Sequence, residues 1–343
     1  TDGSGNEDDP YLIGSDEKWN SFAAAVSGGE AYEGKFFLLT SDITVNTMAG
    51  SENMPFKGIF DGGGHTITLN LSNGGNTTSL FGCLFNATVK NIRLTGTITT
   101  NNMRPASVAG FVDGTWNSNP YVAPSGQTHI INCYSDVAIS SSYNNDIDAG
   151  GIVGAVDKGE TVVIEGCSFT GSITYTDANG YEGGSFVGWT RDDSQAIITN
   201  CFFAPSTISI TKKNDFYLFV GGNVRGTFTN CYYKDFENME TLVQESSPNV
   251  KHVHSVTAGE NTTFVINETV TNGYSVPHLE YYGNVAVSHE GTLYAANGDV
   301  LGLNIDYDNT VFTATAETTS GSIIGSSNPY TPTIGGNNAP LNT

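Results

Sequence analysis

Short apolar runs, separated by polar and glycine-rich turn residues, recur along the first two thirds of the chain. One run always ends in a cysteine, and its four copies are "IINC" (130–133), "IEGC" (164–167), "ITNC" (198–201) and "FTNC" (228–231). A second, glycine-containing run accompanies it, as "SLFGCLF" (79–85), "AGFVDGT" (109–115), "GGIVGAV" (150–156), "GSFVGWT" (184–190) and "LFVGGNV" (218–224). Two patterns that recur together at intervals of about 34 residues predict a repeat architecture.

Each repeat contains three short β runs separated by turn residues and no helix. A third run follows each cysteine position, as "GTIT" (96–99), "VAIS" (137–140), "GSIT" (171–174) and "STISI" (206–210). Such a unit cannot bury its own apolar face, but stacking successive units strand upon strand does bury it. The sequence therefore predicts an all-β protein whose main domain is a parallel β-helix. In this alignment Ile92 occupies the cysteine position of an earlier unit, and Asp113 stands where the repeat glycine is expected.

The segment before the repeats predicts one helix and one sharp corner. Ser15 can cap the amino terminus of a helix near 15–28, whose apolar face holds Trp19, Phe22, Ala23 and Val26. An amphipathic helix is suited to cover the open end of a solenoid. The glycines at 62–64 allow a tight turn where a side chain would collide with the next coil.

These patterns divide the chain into four parts. We predict a flexible tail at 1–10, a β-helix domain at 11–240, a linker at 241–251 and a small β-sandwich-like domain at 252–343. The last part lacks the repeat but keeps strand-like runs between turn signals, which is typical of a small antiparallel domain.

Charge and composition exclude several classes of partner. The chain has 35 acidic and 13 basic residues, for a net charge of -22, and Lys251 is its last basic residue. Nucleic acids and anionic membranes are recognised by clustered basic residues, so neither is an expected partner. No apolar run reaches membrane-spanning length, so we expect no membrane insertion. The polar start is typical of an exported chain after removal of its leader, and we expect an extracellular or cell-surface monomer.

Several of these stretches together resemble GLUG-motif surface proteins of gut bacteria. They are "DDPYLIGSDEKWNSFAAAV" (8–26), "GIFDGGGHTITL" (58–69) and "VIEGCSFTGSI" (163–173). The resemblance implies a pectin-lyase-like, right-handed β-helix in an exported protein that adheres to surfaces or contacts glycans. The last part of the chain is similar to the short β modules that often follow this solenoid. The pattern is broken at Asp113 and by a longer second unit at 115–128.

The cysteines could form disulfides, a metal site or a packing column. Five is an odd number, and the spacing is unlike that of paired zinc ligands. Equivalent cysteines on stacked coils would point inward, where small thiols pack well. We therefore predict that Cys133, Cys167, Cys201 and Cys231 are buried, unbridged and stacked. The asparagines that precede this column, Asn91, Asn132, Asn200 and Asn230, are placed to bend the chain and to hydrogen-bond along the stack.

Catalytic and metal sites have little support in the sequence. Polysaccharide lyases need a base next to a bound carboxylate, and hydrolases need converging carboxylates. The only compact candidate is Arg191-Asp192-Asp193, which falls in a turn where solvated aspartates are common. Acidic residues at 146–148 and 306–308, and the pair His252 and His254, match no metal motif. We predict no catalytic residue, no metal and no cofactor.

A ligand-binding surface is the remaining prediction. The turn after the glycine-containing run carries Trp116, Asp157, Trp189, Asp192 and Asp193 in successive units. Exposed aromatic and polar side chains bind sugars by stacking and hydrogen bonding, although the tryptophans could simply cover the ends of coils. The sequence favours a non-enzymatic adhesin-like protein that contacts glycans or host or partner proteins. A carbohydrate-active enzyme on the same scaffold and a structural spacer are the alternatives.

Overall fold

The structure is a computed structural model that describes most of the first 210 residues and separate strands beyond them. The described residues are 3–72, 75–113, 126–175, 183–191, 193–199, 201–210, 219–222, 226–229, 232–233 and strands between 266 and 340. The elements of the first part, in chain order, are β1 Tyr11–Ile13, α1 Asp16–Ser27, β2 Phe36–Leu39, β3 Ile43–Val45, β4 Ile59–Asp61, β5 Thr66–Ser72, β6 Thr77–Thr78, β7 Phe81–Leu84, β8 Thr88–Thr100, β9 Arg104–Pro105, β10 Ala109–Val112, β11 Thr128–Ser135, β12 Ala138–Ser141, β13 Ala149–Val156, β14 Thr161–Glu165, β15 Ser168–Phe169, β16 Ser172–Tyr175, β17 Gly183–Thr190, β18 Gln195–Thr199, β19 Phe202–Phe203, β20 Thr207–Ser209, β21 Val220–Gly222, β22 Gly226–Thr229 and β23 Tyr232–Tyr233.

Most of these strands pair in parallel in three long stacks. Stack one has the order β1-β2-β4-β8-β11-β14-β18-β22, and stack two has the order β3-β5-β8-β12-β16-β20. Stack three is the five-stranded sheet β7-β10-β13-β17-β21. Strand β8 is long enough to belong to the first two stacks. The molecule is thus mostly β with long parallel sheets, as a parallel β-helix requires.

Inward side chains of all three stacks form one hydrophobic core. Buried residues alternate with exposed or half-buried ones along stacks one and two, whereas nearly every residue of stack three is buried. The core includes Val89, Ile130 and Ile164 from stack one, Ile98, Ile139 and Ile173 from stack two, and Val112, Val153 and Val187 from stack three.

The predicted amino-terminal helix is confirmed as α1. The Ser15 hydroxyl caps it by accepting a hydrogen bond from the Lys18 amide at 3.3 Å. Its apolar face is buried, with the Trp19 ring 5.8 Å from Phe60 and 5.9 Å from Phe81. The helix therefore lies over the inward aromatic residues of the earliest coils.

The cysteine column is confirmed for its three described members. Cys133, Cys167 and Cys201 are buried and form no disulfide. The Cys133 amide donates to the Cys167 sulfur at 3.3 Å, and the Cys167 amide donates to the Cys201 sulfur at 3.4 Å. Cys133 pairs in register with Ile92, as the repeat alignment predicts. Burial raises the pKa of the Cys133 thiol well above its usual value, so the thiol stays protonated. Cys231 lies outside the described residues.

A column of left-handed residues turns the chain immediately before these positions. Asn91, Asn132 and Gly166 have φ values of 58°, 52° and 62°, a conformation that asparagine and glycine adopt most readily. The Asn132 side-chain amide donates to Asn91 Oδ1 at 3.3 Å, and the Asn91 amide donates to Asp61 Oδ1 at 3.0 Å. The asparagine prediction is confirmed for these two residues, whereas Asn200 and Asn230 lie outside the described residues.

The alignment of the glycine-containing run is wrong at Asp113. Ala109 pairs with Phe81 and Val153, so Gly110 is the glycine of this unit. Asp113 follows strand β10, in the position that Asp157 occupies after β13. The error arises because "FVDG" (111–114) imitates the apolar pair and turn residue of "IVGA" (152–155). The repeat glycine is required by close packing, since a Cβ atom on Gly154 would lie 2.4 Å from the Gly110 carbonyl oxygen.

A buried arginine joins the segments that cross the outer side of stack three. Arg104 donates to Glu52 at 2.6 Å and to Asp148 at 2.9 Å. Its guanidinium lies 4.4 Å from the centre of the Phe111 ring. Asn76 donates a further hydrogen bond to Glu52 at 2.6 Å. This network holds four segments together and gives Asp148 an ion-pair partner.

Asp148 is expected to make stability depend on pH. Burial raises its pKa from 3.8 to about 6, against the opposing influence of Arg104. The folded state binds the Asp148 proton more tightly than the unfolded state does. The protonated group therefore contributes to the free energy of unfolding at low pH, and this contribution is lost as pH rises from about 4 through about 6. Relative to wild type, the free energy of unfolding of Asp148→Asn should gain about 2.5 kcal/mol between pH 4 and pH 7, because most of a shift of about two pKa units falls in this range. Urea unfolding of both proteins across that range measures the difference, and a constant difference would contradict the prediction.

The last quarter of the chain contains antiparallel strands. They are β24 Ile266–Thr271, β25 Tyr274–Leu279, β26 Val285–Val287, β27 Leu293–Ala295, β28 Val300–Leu301, β29 Ile323–Ile324, β30 Thr333–Ile334 and β31 Ala339–Pro340. They pair as β24-β25, β26-β27-β28 and β29-β30-β31. The division into domains remains a prediction, and the linker, His252, His254 and residues 306–308 lie outside the described residues. Within the described part of the chain, no helix has the length and apolarity needed to cross a membrane.

Candidate functional site

The turn residues predicted to bind a ligand lie at the carboxyl ends of stack three. Because its strands are parallel, the residues that follow β10, β13 and β17 meet at one edge. Asp113, Asp157 and Arg191 come directly after these three strands, and Asp193 follows two residues later. Trp189 is the penultimate residue of β17. Trp116 and Asp192 lie outside the described residues.

Asp157 is the most deeply buried of the predicted residues. It is 3% exposed, and its carboxylate accepts a hydrogen bond from Arg191 at 3.0 Å. The Arg191 side chain is 40% exposed. Asp157 therefore holds a guanidinium that reaches the surface, and it presents little carboxylate surface of its own. The sequence interpretation treated Arg191 only as part of a possible catalytic triplet and missed this pairing.

Trp189 ends a column of side chains on the outer face of stack three. Cys83, Phe111, Ala155 and Trp189 pair in register on successive strands. The first three are fully buried, and Trp189 packs against them as a half-buried residue. The indole thus packs on an apolar support and remains partly exposed.

Asp193 completes the set as an exposed residue. It has a φ of 62°, in the left-handed region that aspartate tolerates better than most residues. The neighbouring turn is closed by the Ser194 amide, which donates to the Arg191 carbonyl at 3.1 Å. We refer to Asp157, Trp189, Arg191 and Asp193 as the strand-end site. Its described surface offers one aromatic ring, one guanidinium and one carboxylate.

Two further acidic residues and a cysteine lie below this surface. Asp113 and Glu160 are 3% and 1% exposed, and neither stood out in the sequence as buried. Burial and the charge of Asp113 raise the pKa of the Cys83 thiol well above its usual value. A thiol in this state is a poor nucleophile, because the thiolate is the reactive form. Three or more potential metal ligands do not cluster anywhere in the described residues.

Comparisons with known proteins add little to this geometry. No protein-family model matches the chain, and no curated protein matches it. One solved structure, from Bacteroides ovatus and provisionally named an immunoglobulin A1 protease, is similar to this chain with a TM-score of 0.44. The two are 19% identical, and the match covers 68% of this chain and 77% of the other. Similarity at this level supports no inference about the activity of this chain.

Proposed function

We propose that this chain is a non-enzymatic, adhesin-like protein that contacts glycans through the flank of a right-handed parallel β-helix. The parallel pairing of three strand stacks supports this architecture, and the antiparallel strands near the carboxyl terminus fit a small β module after the solenoid. The resemblance to GLUG-motif surface proteins supports an exported bacterial protein, at the cell surface or secreted.

One observation carries the functional part of the proposal. Trp189 is a supported, partly exposed aromatic ring, and Arg191, two residues later, is also partly exposed while Asp157 holds its guanidinium. An aromatic ring that stacks on a sugar and charged groups that bind its hydroxyls or carboxylates are the parts of a glycan site. In this proposal Asp157 is a positioning residue, and Trp189, Arg191 and Asp193 contact the ligand. Trp116 and Asp192, which lie outside the described residues, are included in the proposal from the sequence alone.

Glycan binding and glycan cleavage are measured on the same panel of neutral and uronic-acid oligosaccharides. We expect binding without release of shorter products. Trp189→Ala should weaken binding about tenfold, as expected for loss of one stacking contact. Tyr143→Ala, which removes another partly buried aromatic residue outside the site, is the matched control and should bind normally.

The alternatives make different predictions in the same experiment. Shorter products that disappear in Asp157→Asn or Asp193→Asn would establish a carbohydrate-active enzyme and overturn the adhesin proposal. No binding to any glycan by the folded protein would favour a structural spacer or a protein-binding surface. If Trp189→Ala and Tyr143→Ala lose glycan binding equally, the glycan contact lies away from the strand-end site.

A further inference from the structure

A groove of about 420 Å³ lies at the amino-terminal end of stack one, far in sequence from the strand-end site. The outer face of β2 and β4 forms its floor, and the loop of residues 3–10 forms one wall. Its volume falls in the range of sites that hold small ligands or single side chains. We refer to it as the amino-terminal groove.

The floor of the groove is apolar although it faces outward. Along β2 and β4 the inward residues are buried, and the alternate residues Phe36, Leu38 and Ile59 are half-buried on the outer face. Outward positions of a sheet that faces water are usually polar. Three apolar side chains on two neighbouring strands therefore form a small patch suited to an aliphatic chain.

The wall of the groove is held in place by its own hydrogen bonds. The Ser4 amide donates to Asp9 Oδ2 at 2.9 Å, and the Gly5 amide donates to the Asp9 carbonyl at 3.0 Å. The Phe36 amide donates to the Gly5 carbonyl at 3.1 Å, which joins the loop to β2. A wall that is already ordered reduces the entropy that the protein loses when a ligand binds.

The charges around the groove are not balanced. The charge of Asp61 is balanced within the protein. Its Oδ2 lies 3.3 Å from Lys90 Nζ, and its Oδ1 accepts hydrogen bonds from Gly63 and Asn91. The carboxylates of Glu7 and Asp8 are exposed, and neither has an ion-pair partner among the described residues. The groove therefore combines an apolar floor with two uncompensated negative charges.

We propose that the amino-terminal groove binds a lysine or arginine side chain of a partner polypeptide. The aliphatic stem lies on Phe36, Leu38 and Ile59, and the charged group faces Glu7 and Asp8. Lysine and arginine combine these two properties in one side chain. Residues 252–343 of this chain contain no lysine or arginine, so this segment cannot supply the occupant. The proposal is independent of the glycan site and stands or falls separately from it.

The test uses saturation-transfer difference NMR with the peptide acetyl-Gly-Ser-Lys-Ser-Gly-amide and the full chain. We expect the strongest signals on the methylene protons of the lysine side chain, which would lie on the apolar floor. The variant Glu7→Gln/Asp8→Asn should bind the peptide about fivefold to tenfold more weakly at low salt, since two exposed charge contacts are lost. A peptide with norleucine in place of lysine keeps the stem without the charge, and it should bind about tenfold more weakly than the lysine peptide.

A matched charge control is essential because the whole protein is strongly acidic. Glu33→Gln/Glu165→Gln removes two exposed carboxylates that do not line the groove, and it should bind like wild type. If both double variants lose peptide binding equally, the peptide is attracted by the overall negative charge of the protein, which would overturn the proposal. Equal binding of the norleucine peptide would also overturn it. A stronger signal from glucosamine than from the peptide would assign the groove to amino sugars instead.

Discussion

Replacing Arg104 with methionine is expected to lower the free energy of unfolding by about 3–5 kcal/mol, as in other buried ion pairs that lose one partner. The substitution leaves Glu52 and Asp148 with no counter-charge at 2.6 Å and 2.9 Å, in a largely buried setting. It also removes the guanidinium from the Phe111 ring. Urea unfolding of wild type and Arg104→Met at pH 8 measures the loss.

The pH dependence of this loss separates the electrostatic cause from simple loss of packing. At pH 5 Asp148 can take up a proton, because burial raises its pKa to about 6, so the stability deficit of Arg104→Met should be smaller than at pH 8. Arg104→Lys keeps the charge but cannot reach both carboxylates with the geometry of arginine. Its free energy of unfolding should therefore lie between those of Arg104→Met and wild type. The control is Lys57→Met, which removes a cation 5.1 Å from the Phe85 ring and should cost only about 0.5–1 kcal/mol. A similar loss in Arg104→Met and Lys57→Met would contradict the prediction.

The architecture could be predicted from the sequence because it repeats. Each coil must place an inward residue above that of the preceding coil, so Ile92, Cys133, Cys167 and Cys201 share one column. The same reasoning predicted the turn before this column, where Asn91 and Asn132 adopt positive φ. Local signals were sufficient for α1, whose cap and apolar face are both encoded within thirteen residues.

The Arg104 network could not be predicted in the same way. Its partners are 52 and 44 residues away along the chain, in segments whose lengths do not follow the repeat. No periodicity connects Arg104 to Glu52 or Asp148, so only the folded arrangement brings them together. Asp113 was misplaced for a different reason, because "FVDG" (111–114) resembles "IVGA" (152–155) and favours the wrong alignment.

The strand-end site was predicted in part. The sequence identified the turn after stack three, and the structure brings Asp157, Trp189 and Asp193 to that edge. It did not show that Asp157 is buried or that Arg191 is its partner, because a turn position does not reveal which way a side chain points. The functional roles of these residues, and of Trp116 and Asp192, remain predictions.

Removing the Trp19 side chain is the second substitution with a large expected effect. Trp19→Ala should lower the free energy of unfolding by about 3–5 kcal/mol, the usual cost of deleting a buried aromatic side chain. The ring is fully buried against Phe22, Phe60 and Phe81, and its Nε1 donates to the Thr47 carbonyl at 2.8 Å. Trp189→Ala is the matched control and should cost less, because Trp189 is only half-buried.

The location of the damage tests what α1 does. In the proposed β-helix each coil is stabilised chiefly by its neighbours, so an end that loses its cover should open before the middle. Hydrogen exchange should therefore accelerate in β2 and β4 of Trp19→Ala, while β14 and β18 keep their protection at low denaturant. Uniform acceleration of all four strands would mean that the coils unfold as one unit, and that α1 contributes to a common core instead of capping one end.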